Sequence, residues 1–321
     1  MSESLISTLT LPFSHEGQRF DAVLAELLPE HSRARIQQWI KEGQILLDGQ
    51  IVKPKEKIIG GEQVSLNFSL QPSERWEAQS IPLDVVYEDE HLIVINKPVG
   101  LVVHPAAGNP DGTLVNALLY RYPELACLPR AGIVHRLDKD TSGLMVVARS
   151  AVAHTSLVNQ LQTRTMGRQY EALVLGELTG GGSVDAPIGR HPHQRLKMAV
   201  VNSGKPAFTD YGLIKQWPGV AHLRLKLKTG RTHQIRVHLS HVRLPIIGDA
   251  LYTSNPRYPR GASPDLLKAI QTFGRQALHA KRLELDHPTT GERLAWEVEL
   301  PDDMRDLIAL LDKENTGHEP V

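Results

Sequence analysis

The stretch GIVHRLDKDTSGL (132–144) gathers two carboxylates, Asp138 and Asp140, with Arg136, Lys139 and the hydroxyls of Thr141 and Ser142. Ile133 and Val134 precede it and the apolar run 144–148 follows, so it reads as a polar loop at a strand end, near the surface where a substrate can reach it. Asp138 is the first candidate catalytic residue, able to act as nucleophile or general base. In extended backbone Arg136 leaves the same face as Asp138, with Cβ atoms about 7 Å apart. His135 points the other way and reads as structural. A glycosidase deploys two carboxylates across the bond it breaks, and Asp138 with Asp140 invites that comparison. The same residue types also close turns through Asx-type hydrogen bonds, and composition alone leaves these readings open.

A second constellation lies in TGRTHQIRVHLSHV (229–242). Thr232 reads as the N-cap of a helix in which Ile235, Leu239 and Val242 fall at i, i+4 and i+7. His233, Arg236 and Ser240 then share another face that can look into a cleft. A carboxylate working where water is excluded needs a neighbouring cation to stay ionised. Arg236 and Arg231, the latter at the helix entrance, are the candidates. Among fifteen histidines, His191 with His193 and the set His233, His238 and His241 raise the question of a metal. Their spacing fits neither HExxH nor a Cys/His finger, so no metal is expected.

These residues need a scaffold. A chain of 321 residues with 41% hydrophobic composition can bury a real core and divide into two domains. Lys+Arg and Asp+Glu are equal at 36 each, so attraction for a polyanion must come from local clustering. The lone Cys127 and the absence of a CxxC pair fit a reducing cytosolic setting. With no signal-like start and no run of about 18 uncharged apolar residues, a soluble cytoplasmic protein without membrane association is expected.

From Phe20, the positions Val23, Leu24, Leu27 and Leu28 recur at helical spacing. Pro29 and Ser32 then stop that helix and cap a second, which runs to about Gly43 with Ile36, Trp39 and Ile40 inward. Residues 44–52 read as a hairpin turning at Asp48 and Gly49, followed by Lys53, Lys55 and Lys57 around Pro54. Arg33, Arg35, Lys53 and Lys55 form a local basic cluster that contacts phosphates or simply faces solvent. Periodicity is lost over 69–82, which reads as a linker. Beyond Leu83, an apolar strand at 92–95 and an alternating one through Leu223, Leu225 and Leu227 predict short strands. Helices are expected over 114–119 and from Asp302 through Met304, Leu307, Ile308 and Leu311. The class is α+β around a mixed, largely antiparallel sheet, with a small N-terminal α/β module.

With NKPVGLVVHPAAGN (96–109), RQYEALV (168–174), GRTHQIRVH (230–238) and ALHA (277–280) in that order, the 132–144 loop resembles the signature of the RNA pseudouridine synthases of the bacterial large-subunit ribosomal RNA type. The resemblance is nearest to the branch that modifies a stem-loop of that rRNA. SRARIQQWIKEG (32–43), within its helix, helix, hairpin order, is similar to the small RNA-binding module shared with the fourth ribosomal protein of the small subunit. The resemblance implies a tail (1–14), an S4-like RNA-binding domain (15–74), a linker (75–83) and a pseudouridine synthase catalytic domain (84–321).

It also implies an isomerase, an intramolecular transferase, that converts specific uridines of large-subunit (23S) rRNA to pseudouridine with Asp138 alone as the catalytic aspartate. The bond from ribose to uracil nitrogen must break, the base turn, and the sugar rejoin at uracil carbon five. No cofactor is needed. Asp138 acting on the sugar or base, or removing a ribose proton, are routes the sequence leaves open. By the same resemblance Arg236 is the partner of Asp138, Tyr170 stacks on uracil and handles protons, and Leu278 walls the base pocket. Arg136 suits the space an extruded uridine vacates, and Arg231 competes for Asp138 or binds phosphate. Arg33, Arg35, Lys53 and Lys55 are the expected RNA contacts of the N-terminal module. The partner implied is large-subunit rRNA or a ribosomal subunit precursor, with no protein partner indicated. Arg236→Ala is expected to impair turnover and leave folding intact.

Two other classes remain to be weighed. DKDT (138–141) faintly resembles the DxDx(T/V) nucleophile loop of aspartyl-phosphate phosphatases, but its fifth position is Ser142 and no alternating βα pattern follows it. A binding-only rRNA protein is the other class; it would hold RNA and make no product.

Overall fold

Helical spacing of Phe20, Val23 and Leu24, and of Ile36, Trp39 and Ile40, gives each of two short helices one apolar stripe. In the computed structural model, which describes residues 4–28, 33–69, 76–106, 108–194, 196–253 and 256–316, these stripes belong to α1 (Phe20–Leu27) and α2 (Arg33–Lys41). They pack on a three-stranded antiparallel sheet of β1 (Ser4–Thr10), β2 (Ile45–Leu47) and β3 (Gln63–Ser69), ordered β1-β3-β2. Asp21, in the first turn of α1, is fully buried and accepts hydrogen bonds from Arg33, Arg19 and Gln37. Burial opposes its ionisation, yet these donors outweigh it and hold the carboxyl well below the usual range.

The expected tail is corrected here: residues 4–10 form β1, paired with β3 from Ser4 opposite Ser69 to Thr10 opposite Gln63. The Leu, Ile and Thr content of this segment suits a strand. The turn expected at Asp48 and Gly49 forms, with φ of 47° and 75°. The second hairpin arm does not. Residues 51–53 stay outside the sheet, Ile51 is exposed, and β2 pairs with β3 instead. The stop and cap expected at Pro29 and Ser32 lie outside the described residues.

By its contacts the chain divides into residues 1–75 and 76–321. The described sheet of the second unit runs β4 (Val85–Glu88), β5 (Leu92–Lys97), β6 (Ser142–Ala148), β13 (Leu278–Asp286), β7 (Gly167–Leu175), β12 (Val220–Leu227), β11 (Phe208–Trp217) and β8 (Gly182–Asp185), with β14 (Arg293–Glu297) on β13. All described pairs are antiparallel except β6 with β13. That parallel contact is brief, Ser142 opposite His279 and Gly143 opposite Ala280. It needs a glycine: a Cβ on Gly143, whose φ is 112°, would lie 2.3 Å from the Ala280 carbonyl oxygen. A separate ribbon pairs β9 (Ile188–Arg190) with β10 (Met198–Val200).

Both faces of β5 and β6 are covered, which explains the unbroken apolar run at 92–95. Leu92 and Val94 pack with Ala153 and Leu157 of α4 (Ala151–Thr163), while Ile93 and Ile95 share the larger core with α3 (Leu114–Arg121) and α7 (Asp302–Thr316). The last two helices fall where periodicity predicts them. α5 (Gln234–His241) and α6 (Pro264–Gln271) complete the unit. Of the expected linker, Arg75 lies outside the described residues. Glu77 and Gln79 are tied by hydrogen bonds to Asn116 of α3, and Trp76 packs edge-on against His104.

Candidate active site

Asp138 sits four residues before β6, in a loop whose alternation holds. Arg136 is exposed, Leu137 is buried, and Asp138 keeps 19% of its side chain exposed at the wall of a cleft of about 880 Å³. Thr141 N–H donates to the Asp138 carbonyl and closes the turn at 3.1 Å. Buried groups pin the following carbonyls: Lys97 Nζ donates to Lys139 O (2.9 Å) and Arg275 Nη1 to Asp140 O (3.3 Å). Lys97 Nζ also donates to Pro98 O and Leu101 O, at 2.7 and 3.0 Å. Burial pushes this lysine down to about 8, against the raising effect of Asp140 and Asp138. Asp140 does not line the cleft, so the loop presents a single carboxylate to it.

That carboxylate is held from α5. Arg236 donates through Nη1 to Asp138 Oδ2 at 2.9 Å, and through Nε and Nη2 to Asp249 at 2.7 and 2.9 Å. Burial works against the guanidinium charge, but Asp249 and then Asp138 outweigh it and raise its pKa. Asp249 is 2% exposed and also accepts from the N–H groups of Leu251 and Tyr252. Arg231, the competing partner, donates instead to Pro206 O at 3.1 Å and lines the cleft nearby. Thr232 is not the cap of α5: His233 occupies that position in left-handed backbone (φ 55°), and Gln234 Oε1 accepts from Arg231 N–H. A buried glutamine amide anchored on Phe208 O and Thr209 Oγ1 takes the capping role. His233, Arg236 and Ser240 do share a face, meeting at Tyr252. His233 Nε2 lies 3.9 Å from Asp138 Oδ1.

Residues 91–241 match the family described as RNA pseudouridylate synthase, and residues 18–64 match the S4 domain. The ribosomal large subunit pseudouridine synthase D of Pseudomonas aeruginosa is 53% identical over 311 residues, covering 97% of each chain. This chain belongs to the RNA pseudouridylate synthase family. The protein of that same name from Escherichia coli K12 is 50% identical over 319 residues, 99% of this chain and 98% of that one. Among solved structures, human RNA pseudouridylate synthase domain containing 4 aligns with a TM-score of 0.56 and 28% identity, covering 71% of this chain and 93% of that chain.

A pseudouridylate synthase must grip a base while it is detached and turned, and the cleft volume falls in the range that takes a ligand of nucleotide size. Tyr170 of β7 and Leu278 of β13 both line the cleft and are otherwise buried, 6% and 3% exposed. Burial, with a smaller contribution from Asp138, raises the Tyr170 pKa, against the opposing effect of Arg168. His135, read as pointing the other way, also lines the cleft, with its Nε2 accepting from Val146 N–H at 3.1 Å.

The remaining expectations divide. Arg33 is engaged by Asp21 through two hydrogen bonds, Lys53 and Lys55 are exposed around Pro54, and the side chain of Arg35 lies outside the described residues. Among the described residues no group of three or more His, Cys, Asp or Glu is placed to hold a metal. His238 is buried between Thr209 and Ala186. Sequence reasoning missed Asp249, Lys97 and Arg275. Lys97 carried a signal, a charge two residues beyond the apolar run 92–95 and at the end of the same strand. Asp249 and Arg275 act through residues distant in sequence, and nothing in their neighbourhoods marks them.

Proposed function

We propose that this synthase isomerises specific uridines of large-subunit ribosomal RNA to pseudouridine, with Asp138 as the catalytic aspartate. One observation carries the reading: a single cleft carboxylate whose Oδ2 accepts from Arg236 at 2.9 Å while the side chain stays 19% exposed. Asp138 attacks the sugar or base, or takes a ribose proton, and the bond to uracil N1 breaks. Tyr170 and Leu278 hold the freed uracil as it turns to present C5, and Arg236 orients the carboxylate. Arg136 fills the space left by the extruded nucleotide, and Arg231 contacts the RNA backbone near it. Both fragments are rejoined and no electrons leave the substrate, so the reaction itself calls for no redox or group-transfer cofactor.

The S4-like N-terminal unit raises the local concentration of rRNA, or of a subunit precursor, through Arg35, Lys53 and Lys55, with Arg33 braced by Asp21. This reading places the protein in the cytoplasm, where ribosomal subunits assemble. Mapping pseudouridines in large-subunit rRNA from cells lacking the protein tests it. Specific sites should revert to uridine and return on complementation; an unchanged map contradicts the substrate assignment.

A further inference from the structure

The cations lining the cleft are not alike. On the α5 side each has a partner: Arg236 holds two aspartates, Arg231 donates to Pro206 O, and Lys228 lies 3.4 Å from Asp210. On the α4 side Arg130, Arg164 and Arg168 line the same cleft, and among the described residues none of their side chains makes an ion pair or hydrogen bond. The Nε of Arg168 is buried without a partner, an unfavourable state for a charged donor. Asp138 is the one carboxylate among the lining residues, so nothing on this wall answers the three charges.

Backbone strain marks two of the three. Arg130 and the adjacent Ala131 both take left-handed conformations (φ 52° and 51°), as does Arg164 at the end of α4 (φ 64°). Non-glycine residues adopt this region rarely, and such strain concentrates where a side chain must be aimed. The favourable field at a helix C-terminus accounts for a cation at Arg164, but not for Arg130 or Arg168. All three line the cleft that Tyr170 lines, and Arg168 lies near enough to Tyr170 and His135 to act on both electrostatically.

We infer that Arg130, Arg164 and Arg168 form an anion site that holds backbone phosphates of the RNA strand next to the extruded uridine. The inference rests on the proposed RNA substrate and adds the side of the cleft on which the strand lies. Guanidinium forks suit phosphate oxygens, and the Arg168 side chain, only half-buried, has no carboxylate on this wall to compete for it. The strand then runs over the α4 wall, with its target base entering beneath Tyr170.

The test uses the full chain and an unmodified large-subunit rRNA fragment transcribed in vitro. Dissociation constants are measured over a potassium chloride series for wild type, Arg130→Gln, Arg164→Gln, Arg168→Gln and, as a control on α7 outside the cleft, Arg305→Gln. Each cleft variant should flatten the slope of log affinity against log salt by about 1, and raise KM by a larger factor than it lowers kcat. Arg→Lys at each position should restore the slope, and Arg305→Gln should leave it at the wild-type value. Wild-type slopes in folded Arg130→Gln and Arg164→Gln overturn the site, whatever Arg168→Gln does. A wild-type protein that binds this RNA with steep salt dependence yet forms no pseudouridine counts against the proposed function and leaves the anion site standing.

Discussion

Arg236 reaches Asp138 with one nitrogen, at 2.9 Å, because its other two are committed to the buried Asp249. Removing Arg236 therefore strands a carboxylate that is 2% exposed, a change that costs about 3–5 kcal/mol. Arg236→Ala should lose that stability in urea unfolding as well as turnover, which revises the expectation that folding stays intact. Arg236→Ala with Asp249→Asn should regain part of the stability and none of the single-turnover rate. Restored turnover in the double variant would contradict the orienting role.

Lys97 is 1% exposed and supplies three carbonyls, one of them Lys139 O just after Asp138. Lys97→Met leaves these acceptors unpaired, with an expected stability loss of about 2–4 kcal/mol. Loosening of the Asp138 turn should lower kcat by about 10- to 100-fold. Because burial lowers the lysine to about 8, its charge is lost in the folded protein as pH rises through that value, and wild-type kcat should decline there. Stability follows the opposite sign. From about 8 up to the ordinary 10.5 the unfolded chain holds the proton that the folded chain has released, so this group alone makes folding more favourable as pH rises. A kcat profile that is flat through pH 8 would contradict the loop-clamping role.

His279 is 1% exposed, lies 2.8 Å from Ser142 Oγ through Nδ1, and has a buried Nε2 without a partner. Burial, reinforced by Lys281 and Arg275, lowers it to about 4. As pH falls below the ordinary 6.5, the unfolded chain takes the proton first, so stability is lost from there down to about 4. At pH 5 the loss from this residue is about 2 kcal/mol. Urea unfolding at pH 7 and pH 5 should show a shallower pH dependence in His279→Asn by that amount. Equal losses in the two proteins would assign the acid sensitivity elsewhere.

Deleting residues 1–75, the N-terminal unit, should weaken rRNA capture and flatten its salt dependence while affecting the rate at saturating RNA much less. Full-length affinity and slope in the truncated protein would contradict a binding role for Lys53 and Lys55.

Much of this arrangement was legible in the chain, and the reasons are local. The alternation around Leu137 put Arg136 and Asp138 on one side, and the i, i+4, i+7 stripe of Ile235, Leu239 and Val242 grouped His233 with Arg236. Strand and helix patterning beyond Leu83 pointed to the mixed, largely antiparallel sheet, and the ordered motifs to the synthase family. What stayed hidden depends on contacts distant in sequence. Thr232 fits a capping rule that the buried amide of Gln234 overrides, and residues 51–53 follow a good turn yet stay outside the sheet, where β3 and not the following segment pairs with β2. Asp249 decides how Arg236 is held, but nothing near it in sequence shows that it faces Arg236.

The most direct measurement is pseudouridine formation by Asp138→Asn on unmodified large-subunit rRNA, with binding assayed in parallel. The amide keeps the size of the side chain and an oxygen for Arg236 but removes the carboxylate. Affinity within about twofold of wild type, with no pseudouridine formed, is the predicted result, since losing the group that enters the chemistry removes transition-state stabilisation rather than binding. Turnover near the wild-type rate would contradict the assignment of Asp138.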